Sequence, residues 1–273
     1  MKLQLIRHTW GTQGPRHELF SSFKAAGYQG VETGVPADEE REDLLDQIAL
    51  NGFTLILQIS SRGRTVDDHL DSFEQLLHKA SACQPAMINA HSGRDAWSDA
   101  ESERFFCRAL ELEAACGIPV VHETHRRRIL YNPWTTARML ERFPNLILCC
   151  DFSHWVCVSE SLLDDQEEII RQCAERCHHL HARVGHEQGP QVSDPAAPEY
   201  APHLAAHESW WRMVWDAQRR RGDALTTLVP EFGPPPYAPT FPGTNVPLRD
   251  VTEVCDWMAA RQADQFRHFT TQA

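Results

Sequence analysis

GIPVVHETHRRRILYNPWTTARMLERFPNLILCCD, residues 117–151, reads as strand, helix and strand in succession. Its first apolar run, Ile118 to Val121, closes on His122-Glu123, and its last, Leu146 to Cys150, closes on Asp151. Short runs that are apolar on both faces fit strands sandwiched between helices, as in a parallel sheet. Between them, residues 133–143 form the expected amphipathic helix. The unit is a βαβ crossover that finishes each strand on an ionisable group.

The same alternation extends to both ends of the chain. Further strands are expected at 3–7, 29–33, 53–59, 86–91, 178–184 and 226–231, beside those at 118–123 and 146–151. Helices are expected at 17–26, 38–51, 66–83, 99–116, 133–143, 162–177, 207–221 and 248–269. Eight such units in 273 residues match the roughly 250 residues of one (β/α)8 TIM barrel. An open dinucleotide-binding sheet is disfavoured, because no Gly-x-Gly-x-x-Gly follows an early strand. The expectation is therefore an α/β fold, one barrel domain over 1–273. Long loops should follow strand seven (185–206) and strand eight (232–247), on the face where barrel active sites are built.

A net charge of −12 disfavours general binding to phosphate backbones. Arg126-Arg127-Arg128 and Arg219-Arg220-Arg221 are the two basic runs, both read as solvated ends of elements. No apolar stretch reaches the length of a signal peptide or a membrane span, so a cytoplasmic protein without membrane contact is expected. Nine scattered cysteines fit buried thiols in a reducing compartment better than a disulfide framework. Cys173 and Cys177 lack a second thiol pair at zinc-site spacing.

Glu123, Asp151, His181 and Glu231 all fall at the ends of strands five to eight, which are neighbours round a barrel. Period-2 geometry puts His179, His181 and Arg183 on one face of strand seven, and Thr227, Val229 and Glu231 on the same face in strand eight. Buried carboxylates without partners are costly, and three converging on one mouth repel one another. A divalent cation resolves both problems with one mixed oxygen and imidazole ligand set. Trp10, His91, Trp97, Trp155 and Tyr237 follow strands or lie in loops at the same face, where they would shape a pocket. His8, Arg94 and His186 could bond hydroxyls or a phosphate, and Glu32 ends strand two. His122-Glu-Thr-His125 is not the helical His-Glu-x-x-His of zinc proteases.

Together, Val-Val-His-Glu-Thr-His, Cys-Asp-Phe-Ser-His-Trp, His-Leu-His-Ala-Arg-Val-Gly-His and Pro-Glu-Phe-Gly resemble the xylose isomerase-like barrel superfamily. That group holds sugar and sugar-phosphate isomerases and epimerases, inosose dehydratases and endonuclease IV. The resemblance implies that Glu123, Asp151, His181 and Glu231 bind one divalent ion: manganese is favoured, with magnesium, cobalt or zinc as alternatives. It implies that Glu123 and Glu231 form the acid/base pair and that His154 touches a substrate oxygen. The family arginine lies further past the strand-seven histidine than here, where Glu187 stands and Arg183 is the nearer stand-in. Arg183, Glu187, His91 and Trp10 complete the expected substrate-binding set.

The expected activity is isomerisation or epimerisation of a sugar, sugar phosphate or related polyol, by proton abstraction next to a carbonyl. A lyase of inosose or dehydroshikimate dehydratase type would use the same site, and a non-catalytic sugar-binding barrel is the alternative outside enzymes. Endonuclease IV needs a strand-three histidine and an Asp-x-His after strand seven. Here strand three reads Leu-Ile-Leu-Gln-Ile and Asp194 precedes Pro195-Ala196. The expected partner is a small molecule rather than a nucleic acid, with a homo-oligomer left open.

Overall fold

In a computed structural model describing residues 1–271, the eight apolar runs form parallel strands that close on themselves. They are β1 (Lys2–His8), β2 (Gly30–Gly34), β3 (Thr54–Ser60), β4 (Met87–His91), β5 (Val120–Glu123), β6 (Leu148–Cys150), β7 (Cys177–His181) and β8 (Leu225–Val229). Each pairs with its sequence neighbour, and β8 returns to β1 with Lys2 beside Leu225. Closure leaves no strand edge unpaired. At Gly30 a side chain is sterically excluded: a Cβ would stand 2.6 Å from both Ile6 Cδ1 and the Thr54 carbonyl oxygen.

Helices cover the outside: α1 (Arg16–Ala25), α2 (Arg41–Asn51), α3 (Val66–Ser81), α4 (Asp99–Cys116), α5 (Pro133–Arg142), α6 (Ser153–Ser159), α7 (Glu167–Ala174), α8 (Ala201–Arg221) and α9 (Val251–Thr271). Their starts are set locally. Thr65 and Asp68 form a reciprocal capping box on α3, as do Ser98 and Glu101 on α4. Asn132 Oδ1 accepts from Thr135 N at 2.7 Å, with Pro133 opening α5. No described helix is long and apolar enough to cross a membrane.

The large apolar core lies between barrel and helices, where Phe73, Phe105, Phe106, Trp155, Trp211 and Trp215 are buried. Ile6, Ile56 and Val229 form a small separate cluster. They share strand faces with Glu32, His181 and Glu231, which assigns them to the barrel interior. There they meet a buried polar set: Glu32, Asn89, Glu123, Asp151, His179, His181 and Arg183. Barrel interiors are normally filled by branched apolar side chains, so this polar half marks where the fold is given over to something other than packing.

Three elements depart from the sequence expectation. The helix expected at 162–177 is the shorter α7, and an unexpected helix, α6, precedes it, the two separated by Glu160 and Leu163 in left-handed conformations. Residues Ser153–Val156 of α6 are all buried, so no amphipathic stripe announced it. Strand β7 ends at His181, although Ala182 N still bonds to Val229 O at 2.7 Å. Helix α8 begins at Ala201 rather than 207, with Pro202 in its first turn, which shortens the loop before it.

Candidate functional site

Glu123 and His181 are the last residues of β5 and β7; Asp151 follows β6 directly, and Glu231 lies two residues beyond β8. All four are buried, and each offers a ligand atom within 4.8 Å of the other three. His181 Nδ1 is 3.1 Å from Glu231 Oε2 and 3.5 Å from Glu123 Oε2. These approaches are close but not aligned as hydrogen bonds. Glu123 Oε1, His181 Nδ1 and Glu231 Oε2 have no hydrogen-bond partner among the described residues. Buried polar atoms are nearly always satisfied, and three such atoms on residues at ligand spacing fit a cation held among them. Two three-membered groups, Cys149/His179/His181 and His91/Glu123/His125, also approach ligand spacing. Each borrows a member of the four-residue set, so they are read as its surroundings.

The supporting contacts fix the acids. Asp151 Oδ1 accepts from Ser153 N at 2.9 Å and from Ser153 Oγ, and its Oδ2 accepts from Arg183 Nη2. Arg183 Nη2 donates to His154 Nε2 at 2.6 Å and stands 3.3 Å from Glu231 Oε2. The short helix α6 thus serves the site: Ser153 and His154 open it and tie Asp151 to Arg183. His91 Nε2 is 2.8 Å from Glu123 Oε2, and Asn89 Nδ2 donates to the same oxygen at 2.8 Å. Below them Glu32 Oε2 lies 2.9 Å from His181 Nε2 and 3.2 Å from His179 Nε2.

Charge is unbalanced. Four buried carboxylates (Glu32, Glu123, Asp151 and Glu231) face one permanent cation, Arg183. Burial pushes the Asp151 carboxyl up to about 6 against the pull of Arg183, with Glu231 and Glu123 adding to the rise. Burial alone would lower His181, yet Cys149, Glu231, Glu32 and Glu123 raise it well above the ordinary imidazole range. Burial keeps His125 and His154 well below that range, so both are neutral and able to accept. The four carboxylates against Arg183 leave net negative charge whether or not His181 is protonated, which favours a cation among them.

Two adjoining clefts reach the four-residue set through Glu231. One of about 170 Å³ is lined by Trp10, Gln58, His91, His125, Arg183, Glu231 and Tyr237. The other, about 250 Å³, also touches Trp10, Gln58 and Glu231 and adds His8 and Glu32. Trp10 meets Tyr237 edge-on at 4.9 Å, and Arg126 and Arg183 lie over the Tyr237 ring. A larger cavity of about 660 Å³, lined by Asp71, Leu77, Leu112 and Cys116 on α3 and α4, contains none of these groups. Size is therefore a poor guide to the site here.

Of the residues expected from sequence, His91, Arg183 and Trp10 line the clefts, while His154 is fully buried beside Arg183 and lines neither. Glu187 lies away from the mouth: it is more than a third exposed, pairs with His203 at 2.9 Å and borders neither cleft. The antiparallel bridge of His186 to Gly189 turns the chain away at that point. Trp155 donates from Nε1 to Leu130 O within the core, Trp97 packs on His69, and Arg94 is exposed. Sequence reasoning passed over Gln58, Asn89 and His125 as site members and noted His179 only for sharing a strand face with His181 and Arg183. Asn89 was findable, since it shares a strand face with His91 and interrupts the apolar run Met87-Ile88-Asn89-Ala90.

The profile of the xylose isomerase-like TIM barrel family matches residues 20–193, and the chain belongs to that family. No curated protein matches the sequence significantly. Among solved structures, the chain is similar to the probable 3-DHS dehydratase AsbF of petrobactin synthesis from Bacillus anthracis (TM-score 0.64, 15% identity, covering 95% of this chain and 98% of that one). It is also similar to a sugar phosphate isomerase/epimerase from Parabacteroides distasonis (0.62, 12%, 95% and 92%). A third likeness is to endonuclease IV from Thermus thermophilus (0.59, 13%, 99% and 100%). At these identities the likeness is one of fold.

Proposed function

We propose that the chain is a divalent-metal-dependent isomerase or epimerase acting on a sugar, sugar phosphate or related polyol. The observation that carries this reading is the convergence of Glu123, Asp151, His181 and Glu231 with three buried atoms left unpartnered. Those four residues would hold the ion. Carboxylate and imidazole ligands suit manganese well, with magnesium, cobalt and zinc as alternatives. The bound ion supplies Lewis-acid polarisation of the substrate's carbonyl and hydroxyl oxygens.

The remaining work falls to the chain. Glu123 and Glu231 are the two carboxylates positioned to take a proton from the carbon beside the carbonyl and return it. Positioned acid/base groups contribute roughly 100- to 10,000-fold. His91, 2.8 Å from Glu123, supports that carboxylate. Arg183 offers contacts to substrate oxygens, with His154 behind it accepting from its Nη2, and Trp10 with Tyr237 can cover a C–H face and exclude water. Burial restores water-free strength to every one of these polar contacts.

A lyase of dehydratase type begins with the same proton abstraction, and the likeness to a dehydratase in fold keeps it as the second reading. One experiment separates them. The manganese-loaded protein is incubated in D2O with ketoses, inososes, sugar phosphates and dehydroshikimate, and products are followed by NMR. Deuterium appearing beside the carbonyl with an isomeric product supports the proposal. An unsaturated product with loss of water selects the lyase, and no metal-dependent exchange in any substrate overturns both.

A further inference from the structure

We infer that Glu32, on β2, is a positioning residue that decides which nitrogen of His181 faces the four-residue cluster and, through Asn89, where Glu123 points. The inference rests on the metal reading above. Glu32 is 3% exposed and makes three polar contacts. Its Oε2 is 2.9 Å from His181 Nε2 and 3.2 Å from His179 Nε2, and its Oε1 accepts from Asn89 Nδ2 at 2.9 Å.

The logic is one of donors and acceptors. An ionised carboxylate only accepts, so the imidazole nitrogen facing it must carry hydrogen. His181 therefore presents Nε2–H to Glu32, and its lone pair in the neutral ring belongs to Nδ1. That nitrogen is the one directed at Glu123 and Glu231, and it is unpartnered. A ligating histidine commonly anchors its second nitrogen on a carboxylate in this way. Reversing the tautomer would set a lone pair against Glu32 and a hydrogen toward the ion.

Asn89 extends the control. The two hydrogens of its Nδ2 go to Glu32 Oε1 at 2.9 Å and to Glu123 Oε2 at 2.8 Å, while its Oδ1 has no partner among the described residues. Both acceptors are carboxylates, so only this orientation of the amide works. One amide thereby bridges two acids that would otherwise repel, and leaves Glu123 Oε1 free. On the far side, His179 braces Glu32 while its Nδ1 is held 2.6 Å from Thr227 Oγ1. The anchor is itself anchored.

Two measurements test this. Mn2+ binding to the full chain is titrated by EPR of the free ion for wild type and Glu32→Gln, alongside melting temperatures without metal. The expected result is Mn2+ affinity about 10- to 100-fold weaker in Glu32→Gln, with a metal-free melting temperature close to wild type. Equal affinity overturns the role of Glu32. Absence of Mn2+ binding by wild type overturns the metal reading beneath it. Independently of whether the variant folds, 15N NMR of the Zn2+-loaded wild type should find His181 protonated at Nε2 and ligated through Nδ1. Ligation through Nε2 overturns the inference.

Discussion

Arg183 and Asp151 form a fully buried ion pair at the centre of the mouth, Nη2 donating to Oδ2 with neither side chain more than 2% exposed. The pair does not bring its acid to the ordinary carboxylate range: burial leaves Asp151 pushed up to about 6, with Glu231 and Glu123 adding to the rise. Removing one member of a buried pair strands the other, at about 3–5 kcal/mol. Arg183→Ala should therefore melt well below wild type without metal, and saturating Mn2+ should recover more of that loss than it adds to wild type. Differential scanning calorimetry at several Mn2+ concentrations reads both.

Glu231→Gln keeps the shape of the side chain and removes its capacity to take a proton. Turnover should drop by at least about 100-fold, while far-UV circular dichroism stays unchanged. Activity near wild type would remove Glu231 from the acid/base role.

Gly233 lies under Trp10: a Cβ there would come 2.0 Å from the ring. The backbone cannot yield easily, since Gln191 holds it from both sides, Oε1 accepting from Gly233 N at 2.8 Å and Nε2 donating to Gly233 O at 3.1 Å. Gly233→Ala should displace Trp10 and cost about 1–3 kcal/mol of stability through overpacking. Because Trp10 walls the cleft, KM should rise by roughly tenfold, equivalent to about 1.4 kcal/mol of lost substrate contact, with a smaller change in kcat. Steady-state kinetics on the substrate found in the D2O screen checks the split.

His207 on α8 is neutral in the fold. Its Nδ1 donates to His203 O at 2.8 Å and its Nε2 accepts from Gly185 N at 3.2 Å. Burial lowers it to about 4. The unfolded chain binds this proton near pH 6.5 and the folded chain does so only near 4. Stability from this group is thus complete above about pH 6.5 and is lost as pH falls toward 4, by up to about 3 kcal/mol. Urea unfolding across that window should show the acid limb, and His207→Gln should flatten it. An unchanged slope in the variant would assign the limb to other groups.

The fold was legible because apolar runs and amphipathic stretches alternate with distinct periods. Glu123, Asp151, His181 and Glu231 stood out for the same reason: each ends or follows an apolar run where packing alone would not put a charge. Helix α6 was hidden, since Ser153 to Val156 are buried without a polar face to give helical contrast. Gln58 and Asn89 lie inside strands, where a single polar residue in one sequence reads as an interruption until its partners across the barrel are known. Glu187 shows the converse: its distance along the chain from His181 resembled a family position, but the turn at His186–Gly189 sends it elsewhere.

Anomalous diffraction from crystals soaked in Mn2+ tests the central claim most directly. The account predicts one strong peak about 2.0–2.3 Å from carboxylate oxygens of Glu123, Asp151 and Glu231 and from His181 Nδ1. No peak there, with Asp151 still paired to Arg183 and Glu123 to His91, would contradict it.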